Sequence, residues 1–555
     1  MDLKSIQCRF ESDYAHHLSR EQQFKSIVLL GEKIYSDLKF IRKKEKLNMG
    51  NTFMNALKDE YNYDHTQNGA LAHKTTRSKV YDMFALGGAY RQRSDSDCIL
   101  LFKEAYDEDS TLAVKCLFYL RDCRGGQGER RFFRVCFNWL CKEHPGHARK
   151  LLPYVSEYGR WDDLIYATIL TPVESTMLNM IDKQMILDLD SKTPSLLAKW
   201  MPSENASSYK TQVTARRIIN KLGGKPRQYR KALSILRKRI NIVERLMSEN
   251  RWDEIEFDKI PSKAGLIYKN AFARRDIIAQ KYERFAKDKT TKVNAATLYP
   301  YEVVNKVTSH CGWNGLYRLN DTDRAMINKY WENLPDYFNG AEASMMCVID
   351  TSGSMTWGSK GALPIDIAIS LGLYCAERMR GPFAGHYISF SSRPQLIETR
   401  GVDFCDKVNR IYQTNLCDNT NLVAVFDMLL NMIKSNWEIR ESDIPKTIVV
   451  ISDMQIDQGV RFNYGAWYGR GNEANKQLMT EMETVRAKWK RAGYKMPNLV
   501  YWNVNASKDT FLDLGPGVSY CSGCSPTLFK QVITGKTGYD LMIETICSDR
   551  YKVIK

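Results

Sequence analysis

The chain has 555 residues, of which 43% are hydrophobic and 26% charged; it is too long for one ordinary core, so two or three domains are expected. Its formal charge of +17 is unevenly placed: residues 341–555 carry 24 Lys and Arg against 22 Asp and Glu, which leaves 57 against 42 for residues 1–340. No apolar run approaches the roughly 20 residues needed to cross a bilayer, and Met1-Asp2-Leu3-Lys4 does not open a signal peptide, so membrane-spanning and secreted classes are set aside for a soluble, cytoplasmic protein, with virion association left open.

In chain order, residues 1–65 hold one amphipathic stretch, Arg20 to Leu47, ending in the basic run Arg42-Lys43-Lys44-Glu45-Lys46, and read as a peripheral helical segment. Residues 66–340 show successive helical patterns without strand alternation: Val80–Tyr90, Ser96–Tyr106, Thr111–Asp122, Glu129–Glu143 and His147–Ser156. Lengths of 10 to 15 residues separated by short turns suit stacked helix pairs of the HEAT kind. Between the third and fourth patterns, Arg121 to Arg131 is rich in Gly and Arg. A Gly-rich loop at helix ends can cradle phosphate. This one fits neither the nucleotide P-loop nor the dinucleotide fingerprint, and a tight connection with basic flanks at Arg124, Arg130 and Arg131 is the favoured reading. Gly159-Arg160-Trp161-Asp162-Asp163 and Asn250-Arg251-Trp252-Asp253-Glu254 resemble each other; in both, the Trp is expected to anchor the turn and the acid to cap the next helix.

Positive charge is densest from Arg216 to Arg245, with Arg216, Arg217, Lys221, Lys225, Arg227, Arg230, Lys231, Arg237, Lys238, Arg239 and Arg245 against the single acid Glu244. Leu233, Leu236, Ile240, Val243 and Met247 recur at three- and four-residue steps as a core stripe, which sets Lys231, Lys238 and Arg245 on the opposite, solvated face. Stacked cations of this kind suit a phosphate backbone, with a ligand-free solvated face as the alternative. Tyr229 and Trp200 are candidates for base stacking if they face outward.

After Gly340 strands and helices alternate, with strands at Met345–Ile349, His386–Phe390, Thr447–Ile451 and Leu499–Val504 and helices at Pro364–Arg380, Leu422–Ser435 and Glu473–Ala492. This predicts a doubly wound parallel sheet over residues 341–555. Two strands end in acids, Asp350 and Asp453; Ser352 and Ser354 follow the first, and Thr420 precedes a helix. Oxygen donors at strand ends suit a hard cation such as Mg2+. A hydrolase would need an Asp nucleophile with an acid two residues later, or a Ser beside a His; Ser352, not an acid, stands two residues after Asp350 and no His is nearby, so catalysis is not expected. Gln458–Gly471, rich in Gly and aromatics, would lie on the rim of the site. Most of the 14 cysteines sit in apolar patterns, and Cys521-Ser522-Gly523-Cys524 lacks the second ligand pair a zinc site requires.

Asp350, Ser352, Ser354, Thr420 and Asp453 resemble, in order and context, the metal-ion-dependent adhesion site of von Willebrand A-type domains. The resemblance implies that the hydroxyls contact Mg2+ or another divalent cation directly or through water, that the acids act directly or behind them, and that one position stays open for a partner's carboxylate. A basic helical-repeat module followed by such a domain resembles the Ro (TROVE) ribonucleoprotein family. The phrases Phe118-Tyr119-Leu120-Arg121-Asp122, Gly159-Arg160-Trp161-Asp162-Asp163, Ala198-Lys199-Trp200-Met201-Pro202-Ser203 and Asn250-Arg251-Trp252-Asp253 look closer to an uncharacterised branch found in large DNA viruses, phages and plants. The resemblance spans residues 70–555 and implies a ring of helical repeats closed by a Rossmann-like A-type domain, holding structured or misfolded noncoding RNA. The helical motifs of Ro proteins are blurred here, so their RNA contacts do not carry over. The expectation is a monomeric, noncatalytic RNA-binding scaffold. The alternative is a metal-dependent protein adaptor without RNA.

Overall fold

Helices in the first part of the chain arise where apolar residues recur every three or four positions behind a capping side chain. The computed structural model describes residues 61–555 except 241–242, 313–314, 317–318, 359–361, 414–419 and 457–479. The stretch Arg20–Leu47, the rim loop Gln458–Gly471 and the start of the expected Glu473–Ala492 helix therefore lie outside the described residues. The chain falls into two units, Met1–Tyr63 and Asp64–Lys555, and the elements below belong to the second.

Ser78 Oγ accepts the Tyr81 N–H and starts α1 (Lys79–Leu86), Ser94 and Asp97 form a reciprocal capping box on α2 (Asp95–Glu108), and Asp109 caps α3 (Ser110–Arg121). There follow α4 (Arg130–Glu143), α5 (Pro145–Tyr158), α6 (Trp161–Thr168), α7 (Glu174–Asp190) and the single turn α8 (Leu197–Trp200). The series continues with α9 (Tyr209–Lys221), α10 (Pro226–Ile240), α11 (Val243–Ser248), α12 (Ser262–Arg274), α13 (Asp276–Lys287), α14 (Pro300–Thr308) and α15 (Asp321–Glu332). Packing of α1 on α3, α2 on α4 and α4 on α6, besides each on its successor, is that of stacked helix pairs. The expected Val80–Tyr90 helix is shorter: it ends at Leu86 and passes into a 3-10 turn, Gly87–Gln92, where two successive glycines weaken the helix and let the backbone approach Ser522.

The sheet domain contains β1 (Met345–Asp350), α16 (Pro364–Arg378), β2 (His386–Phe390), β3 (Leu396–Glu398), α17 (Phe404–Gln413) and α18 (Leu422–Ser435). It ends with β4 (Thr447–Ser452), α19 (Glu481–Arg491), β5 (Asn498–Asn503), β6 (Val518–Ser522), α20 (Phe529–Val532) and α21 (Gly538–Ile546). Strand order is β6-β5-β4-β1-β2-β3, parallel throughout except for the edge strand β3. Every residue of β1 and β4 is buried, as expected of parallel strands covered on both faces. A Cβ on Gly372 would lie 2.2 Å from Ile349 Cδ1, so the glycine is what lets α16 settle onto β1. The chain moves outward from β1 to β2 on one side and returns to β4 on the other. The carboxyl ends of β1 and β4 thus form the topological switch point at which open α/β sheets hold ligands.

The helical series is fastened to this sheet domain at both ends. At its start the Tyr520 N–H donates to Tyr81 Oη (2.7 Å), the Gly88 N–H to Ser522 Oγ (2.9 Å) and Arg550 Nη2 to Asp122 Oδ1 (2.7 Å). At its end Asn305 Nδ2 and Thr308 Oγ1 both donate to the buried carboxylate of Asp366 on α16 (2.7 Å each), and Arg324 on α15 grips Asp403 and Asp406 beside α17. The two ends also meet each other: Gly128 has φ +71°, and a Cβ there would overlap Tyr299 Oη at 1.8 Å.

Candidate functional site

Three apolar-to-polar transitions create the ion-site candidate. β1 ends in Asp350, which is fully buried; the chain then turns through a 3-10 segment, Gly353–Thr356, that lifts Ser354 to the surface. The Ser352 N–H donates to Asp350 Oδ1 (2.9 Å), and the Ser352 and Ser354 hydroxyls lie 3.1 Å apart. β4 ends beside it at Ser452, and Asp453, 3% exposed, accepts from the Ser354 hydroxyl and from the Gln455 N–H at 3.2 Å. Thr420, the residue before the Asn421 cap of α18, donates to the Gln455 carbonyl at 3.4 Å. Asp350, Ser352, Ser354, Thr420 and Asp453 are thus brought to one place from three loops. Burial, and next the negative charge of Asp350, push the Asp453 carboxyl up to about 7.

Two carboxylates that are both deeply buried and close enough to repel favour a proton or a cation between them. The donor set is two carboxylates and three hydroxyls, all hard oxygens, which fits magnesium chemistry. Among the described residues no group of three or more His, Cys, Asp or Glu is placed to hold a metal ion, and the five residues here include no His or Cys. Two neighbours were not picked out from the sequence. Ser452 Oγ donates to Asp350 Oδ2 at 2.6 Å and accepts the Met454 N–H at 3.0 Å, and Gln455 bridges Asp453 and Thr420. A hydroxyl closing an otherwise apolar strand immediately before the acid is the signal that marks Ser452. Met454 takes φ +62°, an uncommon and strained conformation for a long side chain, directly after Asp453. Trp357, three residues beyond Ser354, is 79% exposed.

The basic region divides into cations that hold the fold and cations that face solvent. Arg237 donates to the carbonyls of Ala198 and Met201 and to Ser203 Oγ (2.9 Å each), and Arg239 donates to the Asp188, Leu189 and Ser191 carbonyls at the end of α7. Arg217 pairs with Glu174 (2.6 Å) and Arg230 with Glu204. Arg216, Lys221, Lys225, Arg227, Lys231 and Lys238 are exposed and have no ion-pair partner among the described residues. The expected continuous face of Lys231, Lys238 and Arg245 is corrected. Arg245 differs from Lys231 and Lys238: it stands on α11, is half-buried, pairs with Glu249 (2.7 Å) and donates to the Lys238 carbonyl. Leu233, Leu236 and Val243 are buried and Ile240 and Met247 half-buried, as the core stripe predicts. Tyr229 is also not a stacking platform: it is 7% exposed and its hydroxyl donates to the Pro202 carbonyl (2.7 Å). Trp200 is half-buried under the Arg160 guanidinium, 4.0 Å from its ring centre. Beside α10 and α11 runs an open groove of about 610 Å³ containing Arg230, Arg237, Lys238 and Arg245. It shares Glu244 and Ser248 with a second depression of about 700 Å³ lined by Trp252, Tyr268, Arg274 and Arg275.

The Gly-rich loop between α3 and α4 is a structural latch. Gln127 is buried, donates to Tyr119 Oη (2.7 Å) and accepts the Ser525 N–H (3.0 Å); Arg124 is held by the Glu157 carbonyl and Arg131 by Asp95, while Arg130 is exposed. The Gly159–Asp163 turn supplies the centre of an ionic cluster: Asp163 accepts from Arg121 (2.5 and 2.8 Å), from Arg134 (2.7 Å) and from the Arg160 N–H that it caps (3.0 Å). Trp252 is buried as expected of an anchor, and Trp161 is half-buried. Cys521 and Cys524 are buried, Cys524 against the Gln127 carbonyl, with burial pushing its thiol up to about 11. No described helix is long and apolar enough to cross a membrane.

Residues 344–549 match the family described as domain of unknown function DUF7788, and residues 66–186 and 175–339 match domain of unknown function DUF2828. The chain is similar to the uncharacterized protein L728 of Acanthamoeba polyphaga mimivirus, 29% identical over 521 residues covering 86% of this chain and 85% of that protein. Among solved structures it resembles the crystal structure of the Ro (RSR) protein of Deinococcus radiodurans, with a TM-score of 0.44 and 13% identity over 85% of this chain and 99% of the other.

Proposed function

We propose that this protein is a noncatalytic RNA-binding scaffold whose helical module carries the RNA and whose sheet domain offers a divalent-cation site to a protein partner. The observation that carries the reading is the group of six exposed cations without ion-pair partners among the described residues, Arg216, Lys221, Lys225, Arg227, Lys231 and Lys238, on α9, the turn after it and α10, beside a groove lined by both Arg and Glu side chains. Cations that a fold leaves unneutralised on one face attract polyanions. Structured noncoding RNA is the ligand class we assign to them, because contacts of this kind read backbone charge and shape rather than sequence. A gel shift of a structured RNA by the full chain at 50 mM salt tests this; no shift at that salt refutes it.

Asp350, Ser352, Ser354, Thr420 and Asp453 are the residues that would hold Mg2+ or another divalent cation. The ion would supply an open coordination position able to take an external carboxylate. The chain's own part is to keep five oxygens converged: Ser452 orients Asp350, and Ser354 and the Gln455 N–H orient Asp453. That buried donor set also favours the adaptor reading, in which the cation grips a partner protein without RNA. Pull-downs that survive nuclease yet are lost with chelator or Asp350→Ala would select it over the RNA scaffold.

A further inference from the structure

The ion-site loops lean on a segment that is remote in sequence. Residues 64–73 precede α1 and cross the carboxyl end of the sheet, where His73 exchanges backbone hydrogen bonds with Phe511 (2.7 and 2.9 Å) and Asp64 meets Lys508 at 3.0 Å. Between these anchors the chain turns tightly at Thr66–Ala70, with the Ala70 N–H donating to Thr66 Oγ1 at 3.0 Å. The outer side of this turn grips the residues after Asp453: Thr66 Oγ1 donates to the Ile456 carbonyl (2.8 Å), the Gln67 N–H to Gln455 Oε1 (2.9 Å) and Asn68 Nδ2 to the Gln455 carbonyl (2.6 Å). That carbonyl is the one the Thr420 hydroxyl reaches, and Gln455 Nε2 returns to the Asp453 carbonyl at 3.3 Å. Ala70 and Leu71 meanwhile pack against Ile456 and against Leu422, two residues beyond Thr420, leaving a gap of about 10 Å³, no larger than one water.

We infer that Gln455 is a positioning residue of the ion site and that Thr66–Ala70 is the brace that holds it, so that cation affinity is set in part by a segment 390 residues earlier in the chain. The inference rests on the reading of Asp350, Ser352, Ser354, Thr420 and Asp453 as cation donors. Thr420 and Asp453 stand on different loops, and Gln455 is the residue that touches both. Fastening its carbonyl and its amide from outside fixes their separation and retains the left-handed Met454 between them. Magnesium demands near-ideal octahedral donors at short range, whereas calcium accepts longer and more varied ones, so loosening the brace penalises magnesium first.

Calorimetric titration of the full chain with Mg2+ and with Ca2+ tests this on wild type and on Gln455→Ala, Asn68→Ala, Thr66→Val, Thr66→Ser and Asp350→Ala. Asp350→Ala loses both ions. Gln455→Ala and Thr66→Val lose Mg2+ affinity by about 10-fold or more, as partners standing behind metal ligands do, and lose less for Ca2+; Thr66→Ser, which keeps the hydroxyl, stays near wild type. Asn68 is exposed, so Asn68→Ala keeps the test alive if a buried-site variant fails to fold. Folded brace variants that bind Mg2+ within twofold of wild type, or that lose both ions equally, overturn the brace and leave the ion site standing. A wild-type chain that binds neither ion overturns the ion site and the brace with it.

Discussion

Replacing Lys231 and Lys238 by Gln removes two of the six exposed cations that have no ion-pair partner among the described residues of α9, the following turn and α10, while leaving the ion-paired arginines in place. If all six meet phosphates, the logarithm of RNA affinity falls against the logarithm of salt with a slope of about −4 or steeper, taking the lower of the single-strand and duplex values, about −0.7, for each contact. The double change lowers that slope to about −3. Over the decade between 0.1 M and the 1 M reference it costs about 25-fold in affinity at 0.1 M. Fluorescence anisotropy of a labelled structured RNA across a KCl series measures both quantities. Lys434→Gln with Lys490→Gln removes the same charge from exposed lysines of the sheet domain and is expected to change affinity by less than about twofold. A slope unchanged by Lys231→Gln/Lys238→Gln, or an equal loss in the control pair, would refute the assignment of RNA to this face.

Asp163→Ala strands the Arg121 guanidinium, whose side chain is 3% exposed, and is expected to cost about 3–5 kcal/mol in urea unfolding; a loss under about 1 kcal/mol counts against the cluster as a keystone. Asp82 on α1 accepts from Thr75 and Thr76, yet burial dominates and pushes its carboxyl up to about 6 from 3.8. The fold therefore holds that proton more tightly than the unfolded chain, and its stabilisation is complete below pH 3.8 and lost as pH rises to about 6. Between pH 4 and pH 7 wild type should lose about 2 kcal/mol of stability relative to Asp82→Asn, and a constant difference would disprove this. Mg2+ at a hundred times its Kd should add about 2.7 kcal/mol to the wild-type chain and nothing to Asp350→Ala, measured as a shift in thermal midpoint.

Asp350, Ser352, Ser354 and Asp453 stand out in sequence because they follow apolar strands, whereas Thr420 stands before a helix and joins them only through the resemblance to A-type domains. That signal is local, and the topology of a parallel sheet does the rest. Gln455 carries no such mark, since its role comes from Thr66–Asn68, far away in the chain. Tyr229 precedes Leu233 and Leu236 at helical steps, which places it on the core stripe despite its basic surroundings. Strand β6 carries a weak sequence signal because Ser519 and Ser522 interrupt its apolar run. Both are buried, and their hydroxyls accept the Gly538 and Gly88 N–H groups. Edge strand β3, three residues long, is too short for alternation to register.

Attachment of the helical series to the last strand and the carboxyl-terminal turn sets a timetable for biosynthesis. Gly88 waits for Ser522, 434 residues later, and Asp122 for Arg550, 428 residues later. At translation rates of roughly 5–20 residues per second, α1 and α3 spend about 20 to 90 s outside the ribosome before their partners exist. During that interval Tyr81, Phe84 and Tyr119, later covered by β6 and Tyr551, face solvent or a chaperone. A ribosome stalled anywhere before β6 thus leaves a nascent chain with an open apolar flank, which makes synthesis of β6 through Tyr551 the step that commits the start of the helical series to its native packing.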